Sequence, residues 1–290
     1  MDQPASTPAS GSAVCFLFDN GSLRPASTLA LRALAANLAG RLPVPVEAVS
    51  LLHSSGVPPE QLAGRPARLL EPALADFFSR EPAGRAVLLP LFFGPSAALT
   101  DYVPARVAAL RERFPGARVV SAGWLVHPER ADAPELTEIL AGRVRAVVAA
   151  RGLVRPRVVL VDHGTPQRGV TAVRDFLAGC LAEALAGEVA GVAAASMERR
   201  PGPDYAFNDP LLEHCLRTPP HEAGDVVVAL QFLSPGRHAG PDGDVAQICR
   251  AAEAERPGLR TFMTETLSGD AGLVDVLARR YHEAVDCASA

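Results

Sequence analysis

The sequence contains the stretch Val158-Val159-Leu160-Val161-Asp162-His163-Gly164-Thr165, which indicates the fold more directly than any other segment. Its apolar, valine-rich part predicts a short buried strand, and a helical pattern follows from about Val170. The loop that leaves the carboxyl end of a parallel strand faces the ligand crevice of an open sheet, and His163 lies on that loop. Gly164 permits a sharp turn, and Thr165 is expected to cap the next helix. A single histidine at a strand end is also a common structural residue, so its interpretation depends on the rest of the chain.

The same strand–turn–helix pattern occurs twice, which indicates a duplicated domain. Asp19-Asn20-Gly21-Ser22 follows the first predicted strand and aligns with Asp162-His163-Gly164-Thr165. Because strands alternate with helices in both halves, each half is expected to form a parallel sheet from βαβ units. The strands that align are Ala13–Phe18 with Val158–Val161, Val46–His53 with Val189–Glu198, and Ala86–Phe93 with Val226–Leu233.

We therefore predict an α/β protein of two tandem, similar domains, each a parallel β-sheet flanked by helices, with a cleft between them. The first domain is expected at residues 13–150 and the second at residues 151–287. The Ala-, Ser- and Pro-rich residues 1–12 are expected to form a disordered tail, and not a signal peptide. In addition to the helices that follow the two turns, the sequence predicts helices at Arg68–Ser79, Val103–Arg113, Glu135–Ala150, Asp244–Glu255 and Gly272–Val285.

Candidate metal ligands lie in the second half only. His163 follows the first strand of that half, His238 follows a later strand, and Glu198 ends the strand between them. Two neutral imidazoles and a carboxylate suit a borderline divalent metal such as cobalt, iron, nickel or zinc. The first half carries at the aligned positions Asn20, His53 and Ala98. One copy therefore keeps the metal-binding residues, and the other is expected to serve as a wall of the cleft.

The composition excludes several functional classes. Hydrophobic residues make up 48% and aromatic residues 5% of the 290 positions, which suits an α/β core of Ala, Val and Leu. The net charge is −4 and all 28 basic residues are arginines without a basic run, so no nucleic-acid partner is indicated. The five scattered cysteines form no Cys-x-x-Cys pair, which argues against a disulfide framework and favours the cytoplasm. No apolar segment approaches the roughly 18 residues of a membrane span.

Two motifs together resemble a known family. Asp162-His163-Gly164-Thr165, combined with Phe232-Leu233-Ser234-Pro235-Gly236-Arg237-His238, is similar to the type II chelatases. These are the sirohydrochlorin cobaltochelatases and ferrochelatases of cobalamin and siroheme synthesis. The resemblance covers nearly the whole chain, because two-half members have this length and this order of elements. The second motif is fairly specific, whereas a strand followed by His-Gly-Ser/Thr occurs in many folds.

The resemblance implies a lyase that inserts cobalt or ferrous iron, as a substrate, into a tetrapyrrole. His163 and His238 would bind the incoming metal and accept the pyrrole protons, and Glu198 would assist. Some two-half members carry the working histidines in the N-terminal copy, whereas this chain has Asn20 and Ala98 there. The C-terminal half must therefore carry the chemistry. No organic cofactor or ATP is expected, since the chain has no P-loop motif, and a monomer suffices to build the cleft.

Several alternatives remain open at this point. A carrier that binds metal or tetrapyrrole without turnover would need the same residues. Gly94-Pro95-Ser96-Ala97-Ala98 faintly resembles the nucleophile elbow of an esterase, although the proline is an unusual choice there. Asp204–Asp209 forms a polar, aromatic insertion that is either pocket lining or surface loop. Asp244, which follows His238, is predicted to cap a helix, and a role as a metal ligand or as a partner of a metal ligand is the alternative. The arginines near the site, which would orient substrate carboxylates or simply face solvent, are Arg168, Arg199, Arg200 and Arg237. The remaining histidines are expected at the surface and are His127, His214, His221 and His282.

Overall fold

A computed structural model describes residues 12–130 and 133–288. Apart from Ser12, the tail predicted over residues 1–12 lies outside the described residues. Two four-stranded parallel sheets form the framework, as predicted, and their strand orders are the same. The first sheet has the order β2-β1-β3-β4, with β1 at Ala13–Asp19, β2 at Val46–Ser50, β3 at Arg85–Pro90 and β4 at Arg118–Ser121. The second has the order β6-β5-β7-β8, with β5 at Arg157–Asp162, β6 at Gly191–Ser196, β7 at Gly224–Leu230 and β8 at Leu259–Met263.

Helices cover both sheets, as βαβ connections require. The helices of the first half are α1 at Pro25–Ala39, α2 at Leu70–Arg80, α3 at Val103–Arg113 and α4 at Pro134–Arg151. Those of the second half are α5 at Arg168–Ala184, α6 at Leu212–Cys215, α7 at Asp244–Glu255 and α8 at Ala271–Cys287. Among the residues that the structure covers, no helix is both long enough and apolar enough to cross a bilayer.

The two halves share one core because they exchange their last helices. Helix α4 packs against α5 and β7 of the second half, while α8 packs against α1 and β3 of the first half. These contacts come in reciprocal pairs, so the halves are related by an approximate two-fold axis. A single apolar cluster consequently contains Leu17, Leu140, Leu160 and Tyr281, which are all nearly inaccessible to solvent. The exchange fixes one sheet relative to the other.

The sheet register corrects one part of the sequence alignment. Asp19 pairs with Ser50 at the end of β2, and Asp162 pairs with Ser196 at the end of β6. Two residues beyond these serines lie Leu52 in the first half and Glu198 in the second. Leu52, and not His53, is therefore the counterpart of Glu198. The predicted ends of these two strands were wrong, since the β2 and β6 ladders stop at the two serines.

Candidate functional site

The loop after β5 is shaped by a glycine that no other residue could replace without rearrangement. Gly164 has φ +88°, and a Cβ built on it would lie 1.8 Å from the carbonyl oxygen of Glu198. Gly21 stands at the same place in the first half, with φ +90° and a Cβ position 1.7 Å from the carbonyl oxygen of Leu52. Each glycine lets two strand-end loops pass at van der Waals contact. In the second half this close approach brings His163 beside Glu198.

The next residue, Thr165, does not cap α5 as the sequence suggested. Its Oγ1 accepts a hydrogen bond from the backbone N–H of Gln167, at 3.0 Å, and Gln167 is the N-cap residue. Ser22 makes the same bond to the backbone N–H of Arg24 in the first half, at 3.1 Å. Both hydroxyls therefore fix the turn that precedes the helix.

The two histidines of the second half lie side by side. The ring centroids of His163 and His238 are 4.5 Å apart, and the rings meet edge to face at 82°. Adjacent parallel strands place them there, because β5 and β7 are neighbours and their carboxyl ends share one edge of the sheet. The side chains are 46% and 30% exposed, so solutes can reach both rings.

Hydrogen bonds leave the same ring nitrogen free on both histidines. Nδ1 of His163 lies 3.0 Å from the carbonyl oxygen of Gly164, which can only accept, so Nδ1 carries the proton. Nδ1 of His238 lies 2.6 Å from Oδ2 of Asp244 and donates to that carboxylate. Each ring is thus left with the Nε2 lone pair, the form that binds metals or accepts protons.

Asp244 does not cap the helix, and the structure agrees with the alternative that it is a partner of His238. Gly243 is the N-cap residue of α7, and Asp244 is the first residue of the helix itself. Its carboxylate lies near the positive end of the helix dipole and accepts the His238 hydrogen bond. The second carboxylate, Glu198, is 63% exposed, and its Oε1 lies 3.6 Å from Nε2 of His163. Glu198 is therefore a carboxylate neighbour of the His163 ring.

A buried polar network supports the loop that carries His163. Arg174 is 2% exposed, and its Nη1 donates to Ser196 Oγ at 2.6 Å and to the carbonyl oxygen of Asn208 at 2.8 Å. Ser196 Oγ donates to Asp162 Oδ1 at 2.6 Å. Burial raises the pKa of the Asp162 carboxyl, while the Ser196 hydrogen bond and the Arg174 charge partly offset this rise. The Asn208 side chain joins the network to Thr165 through two backbone hydrogen bonds of 2.9 Å.

The first half has lost this support. Helix α1 buries the same pattern of positions as α5, with Leu31 where α5 has Arg174. Asp19 consequently has no arginine beside it, and its buried Oδ1 has no hydrogen-bond partner among the residues described. Burial raises the pKa of the Asp19 carboxyl, and Ser50 lowers it only in part. The loop that ends in Asn20 is therefore less well held than the loop that carries His163.

A cleft of about 730 Å³ opens between the halves at the two histidines. This volume lies within the range of roughly 300–1,000 Å³ that is usual for small-molecule sites. The first half contributes residues from three of its segments, and the second half contributes mainly the loop after β7. The lining residues are Asn20, Gly21, Ser22, Leu23, Arg24, Ser27, His53, His163, Phe232, Ser234, Gly236, Arg237, His238 and Ala239. Ala98 and Glu198 lie outside this set.

Of the four arginines proposed near the site, only Arg237 lines the cleft. Arg199 is paired with Asp209 at 2.9 Å. Arg168 and Arg200 lie over aromatic rings of the polar, aromatic insertion, at 4.6 and 5.7 Å from the ring centroids. The insertion is thus held at the surface beside the site and does not line the cavity. Sequence reasoning missed Arg24, Ser27 and Arg174; an arginine on the otherwise apolar face of α5 was the available signal for the last.

The other histidines and cavities offer no comparable site. His127 was expected at the surface, but it is buried and stacked on Trp124, where the loop after β4 folds against α8. Another cavity, of about 580 Å³, lies between α4 and β8 and contains no histidine. Its one cysteine, Cys249, is buried, which raises the pKa of the thiol to about 11, so it is protonated at neutral pH. Across residues 12–130 and 133–288, no three His, Cys, Asp or Glu side chains are arranged to hold a metal ion together.

Comparisons with known proteins converge on one family. The CbiX family model matches residues 157–284, the half that carries both histidines. The structure of SirB from Bacillus subtilis with Fe3+ has a TM-score of 0.67 at 15% identity, covering 96% of this chain and 98% of that one. SirB from Bacillus subtilis subspecies spizizenii, in complex with cobalt, gives 0.67 at 14% identity, with coverages of 95% and 96%.

A third structure extends the comparison beyond SirB. CbiX, described as the terminal enzyme for biosynthesis of siroheme in denitrifying bacteria, has a TM-score of 0.57 at 18% identity, covering 94% of this chain and 99% of that one. A search of the curated proteins found no match. At these identities the structural likeness shows a shared two-sheet fold along the whole chain, while the family match concerns the second half.

Proposed function

The chain belongs, through residues 157–284, to the CbiX family of type II chelatases, and we propose that it inserts cobalt or ferrous iron into sirohydrochlorin. The observation that carries this proposal is the pair of adjacent imidazoles at the wall of the interdomain cleft, 4.5 Å apart between centroids. The related SirB structures contain Fe3+ and cobalt, which supports a metal of this class as the substrate. The pathway served would be siroheme or cobalamin synthesis.

His163 and His238 perform two tasks in succession in this proposal. Their Nε2 lone pairs first hold the divalent ion at the cleft wall and then accept the two protons that leave the pyrrole nitrogens. Metal insertion requires both events, because the macrocycle must lose two protons as it gains the ion. The short distance between the rings, 4.5 Å between centroids, supports a role for both histidines toward one ion.

Each proton has a stabilising carboxylate. Once His238 is doubly protonated, Asp244 lies 2.6 Å from its Nδ1 and balances the charge. Glu198 Oε1 lies 3.6 Å from Nε2 of His163, on an exposed side chain outside the cavity lining, so it can pass a proton to solvent. Glu198 assists in this way.

An incomplete set of ligands suits an enzyme that must release its metal. Three or four closely arranged protein ligands would hold a divalent ion as a structural site does. Two imidazoles and one mobile carboxylate hold it less tightly, and the four pyrrole nitrogens can then take it. The absence of a closed three-residue metal group within the described parts of the chain is consistent with transfer.

The test is an absorbance assay with purified protein, sirohydrochlorin and Co²⁺ or Fe²⁺. Wild-type protein is expected to convert many equivalents of macrocycle, and His163→Ala and His238→Ala are each expected to abolish turnover while folding normally. His214→Ala is the matched control, since that side chain is exposed and distant from the cleft. An unchanged rate in either cleft variant would remove that histidine from the mechanism.

The same titration separates an enzyme from a carrier. A spectral change that stops at one equivalent of macrocycle per protein would favour a binding protein. Comparing rates across several divalent ions would identify the preferred metal, since the ligand set accepts more than one. We also propose that the protein acts as a monomer, because one chain supplies both walls of the cleft. Its expected location is the cytoplasm, and the expected boundary between the two repeats lies near Arg151.

A further inference from the structure

The side chains that line the cleft include cations and no anion, although the protein as a whole is acidic. Two arginines and three histidines line it, and no carboxylate side chain lies in its wall, whereas the net charge of the chain is −4. Positive charge concentrated in a concave, partly dry site attracts anions and raises their local concentration. The ligand of this cleft is therefore expected to carry negative charge.

The first half contributes positive charge to the cleft through the residues at the amino-terminal end of α1. Arg24 is the N-cap residue of that helix, no side chain caps the helix, and its first turn contains no acidic residue. A cation at the positive end of a helix dipole is unfavourable unless an anion lies beside it. The Arg24 guanidinium has no hydrogen bond or ion pair within the described ranges, although the side chain lines the cavity.

A buried hydroxyl in the same turn also lacks a partner. Ser27 is 9% exposed, and the exposed part lines the cavity. No hydrogen bond to its Oγ is formed by any residue that the structure describes. Because the hydroxyl still reaches the cavity, it is available to donate a hydrogen bond to a ligand there.

The approximate two-fold axis shows that this space is kept open on one side only. The corresponding turn of α5 is closed by the first half, because Gly94 lies against Val173 and Gly169 lies against Pro95. Val170 stands where α1 has Ser27. On the open side, Ser27 and the loop after β7 are separated by the cavity. The half without the histidines therefore has a polar helix end facing the cleft where its counterpart has an apolar contact.

We infer that Arg24, Ser27 and the amino-terminal end of α1 form a carboxylate-binding subsite that orients an anionic macrocycle against the histidine pair. The inference rests on the proposed function for the identity of the ligand. It gives the first half a direct role in binding, since the guanidinium and the hydroxyl donate to acidic side chains on the rim of the ring. Arg237 also lines the cleft; its Nε lies 3.7 Å from Oδ2 of Asp244, and its side chain is 73% exposed, so it can also reach a second carboxylate.

The test measures binding separately from turnover. Metal-free sirohydrochlorin is titrated by absorbance into wild-type protein, Arg24→Gln and Ser27→Ala, and each is also prepared with His163→Ala to exclude chemistry. Arg24→Gln is expected to raise Kd about tenfold and Ser27→Ala about threefold, as for loss of a charged and a neutral hydrogen bond. The Arg24 effect is expected to shrink at high salt. In turnover assays, KM is expected to rise with kcat nearly unchanged.

The control is Arg168→Gln, which removes the same charge at the start of the equivalent helix α5, outside the cleft. An Arg24→Gln effect no larger than that of Arg168→Gln would overturn the subsite, as would equal binding of the methyl ester of sirohydrochlorin. Failure of wild-type protein to bind sirohydrochlorin would overturn it together with the proposed substrate. If the protein showed no turnover but Arg24→Gln still weakened binding of sirohydrochlorin, the chelatase activity would be refuted and the subsite would be supported.

Discussion

Arg174 offers a way to separate the shape of the site from its chemistry, because it supports the histidine loop without reaching the cleft. We consider Arg174→Leu, which installs the residue that the first half has at this position. The substitution removes two buried hydrogen bonds, of 2.6 and 2.8 Å, and the charge that faces Asp162. Loss of one partner from such a buried charged network costs about 3–5 kcal/mol, and burial of the leucine side chain returns about 1–2 kcal/mol.

The expected net effect is a loss of about 3 kcal/mol in the free energy of unfolding, measured by denaturant titration. Because the network ends at Asp162 and Ser196, next to the loops that carry His163 and Glu198, the insertion rate is also expected to fall. A displacement of about 1 Å can cost about 100-fold in rate. Arg174→Lys retains the charge and is expected to recover part of both quantities.

Asp175→Asn is the matched control for this experiment. Asp175 is the other partner of Arg174 and is 57% exposed, so its removal is expected to cost less than about 1 kcal/mol and to leave the insertion rate unchanged. The reasoning would be refuted if Arg174→Leu were as stable and as active as wild-type protein. It would also be refuted if Asp175→Asn reproduced its effect, since the exposed ion pair would then carry the contribution assigned to the buried bonds.

Three further substitutions test other parts of the site. Asp244→Asn is expected to lower the insertion rate about 10- to 100-fold by weakening the imidazole that it orients, whereas Asp242→Asn, which is 97% exposed and two residues away, should leave the rate unchanged. Gly164→Ala is expected to destabilise the fold by more than Gly187→Ala, because both have positive φ but only the first meets a backbone oxygen; equal melting temperatures would contradict this. Asp19→Asn is expected to stabilise the protein at pH 7, since burial raises the pKa of that carboxyl above 3.8 and its ionised form weakens the fold. The gain should shrink as pH falls through the raised native pKa and vanish below 3.8, and a gain that persisted in acid would contradict this cause.

The sequence predicted the order of the elements well because local periodicity determines it. Val103–Arg113 and Asp244–Glu255 are helices with the predicted bounds. Strands β2, β3, β6 and β7 were predicted too long at their carboxyl ends, as for Ala86–Phe93, which ends at Pro90 in the structure, whereas the central strands β1 and β5 extend one residue further than predicted. Apolar residues continue past the ladder because the loop after each strand is also covered by helices. At these strand ends the apolar residues indicate that the chain is buried, but the hydrogen bonds of the sheet stop before the apolar residues do.

The exchange of α4 and α8 could not be predicted from periodicity. An amphipathic pattern indicates which face of a helix is buried, and not which sheet covers it. The proximity of His163 and His238 was predictable, since both follow adjacent parallel strands. The bond from Asp244 to His238 was one of two roles that the sequence allowed for this residue, because it depends on whether the aspartate caps the helix or begins it. That difference of one residue turns a helix cap into a partner of the imidazole.

The two halves differ at several positions of the site at once, and this joint difference is the strongest argument for a single site. Asn20 and Leu52 stand where the second half has His163 and Glu198, and both lie directly after the strands that Gly21 and Gly164 bring together. The buried support has been lost with them, since an apolar residue on α1 replaces Arg174. Drift at isolated positions would not remove the imidazole, the carboxylate and the buried cation together while keeping the glycine turn. The turn persists because the sheet requires it, whereas the polar residues were needed only for a site. In the proposed function, the first half then serves as the wall of the cleft that faces the histidine pair.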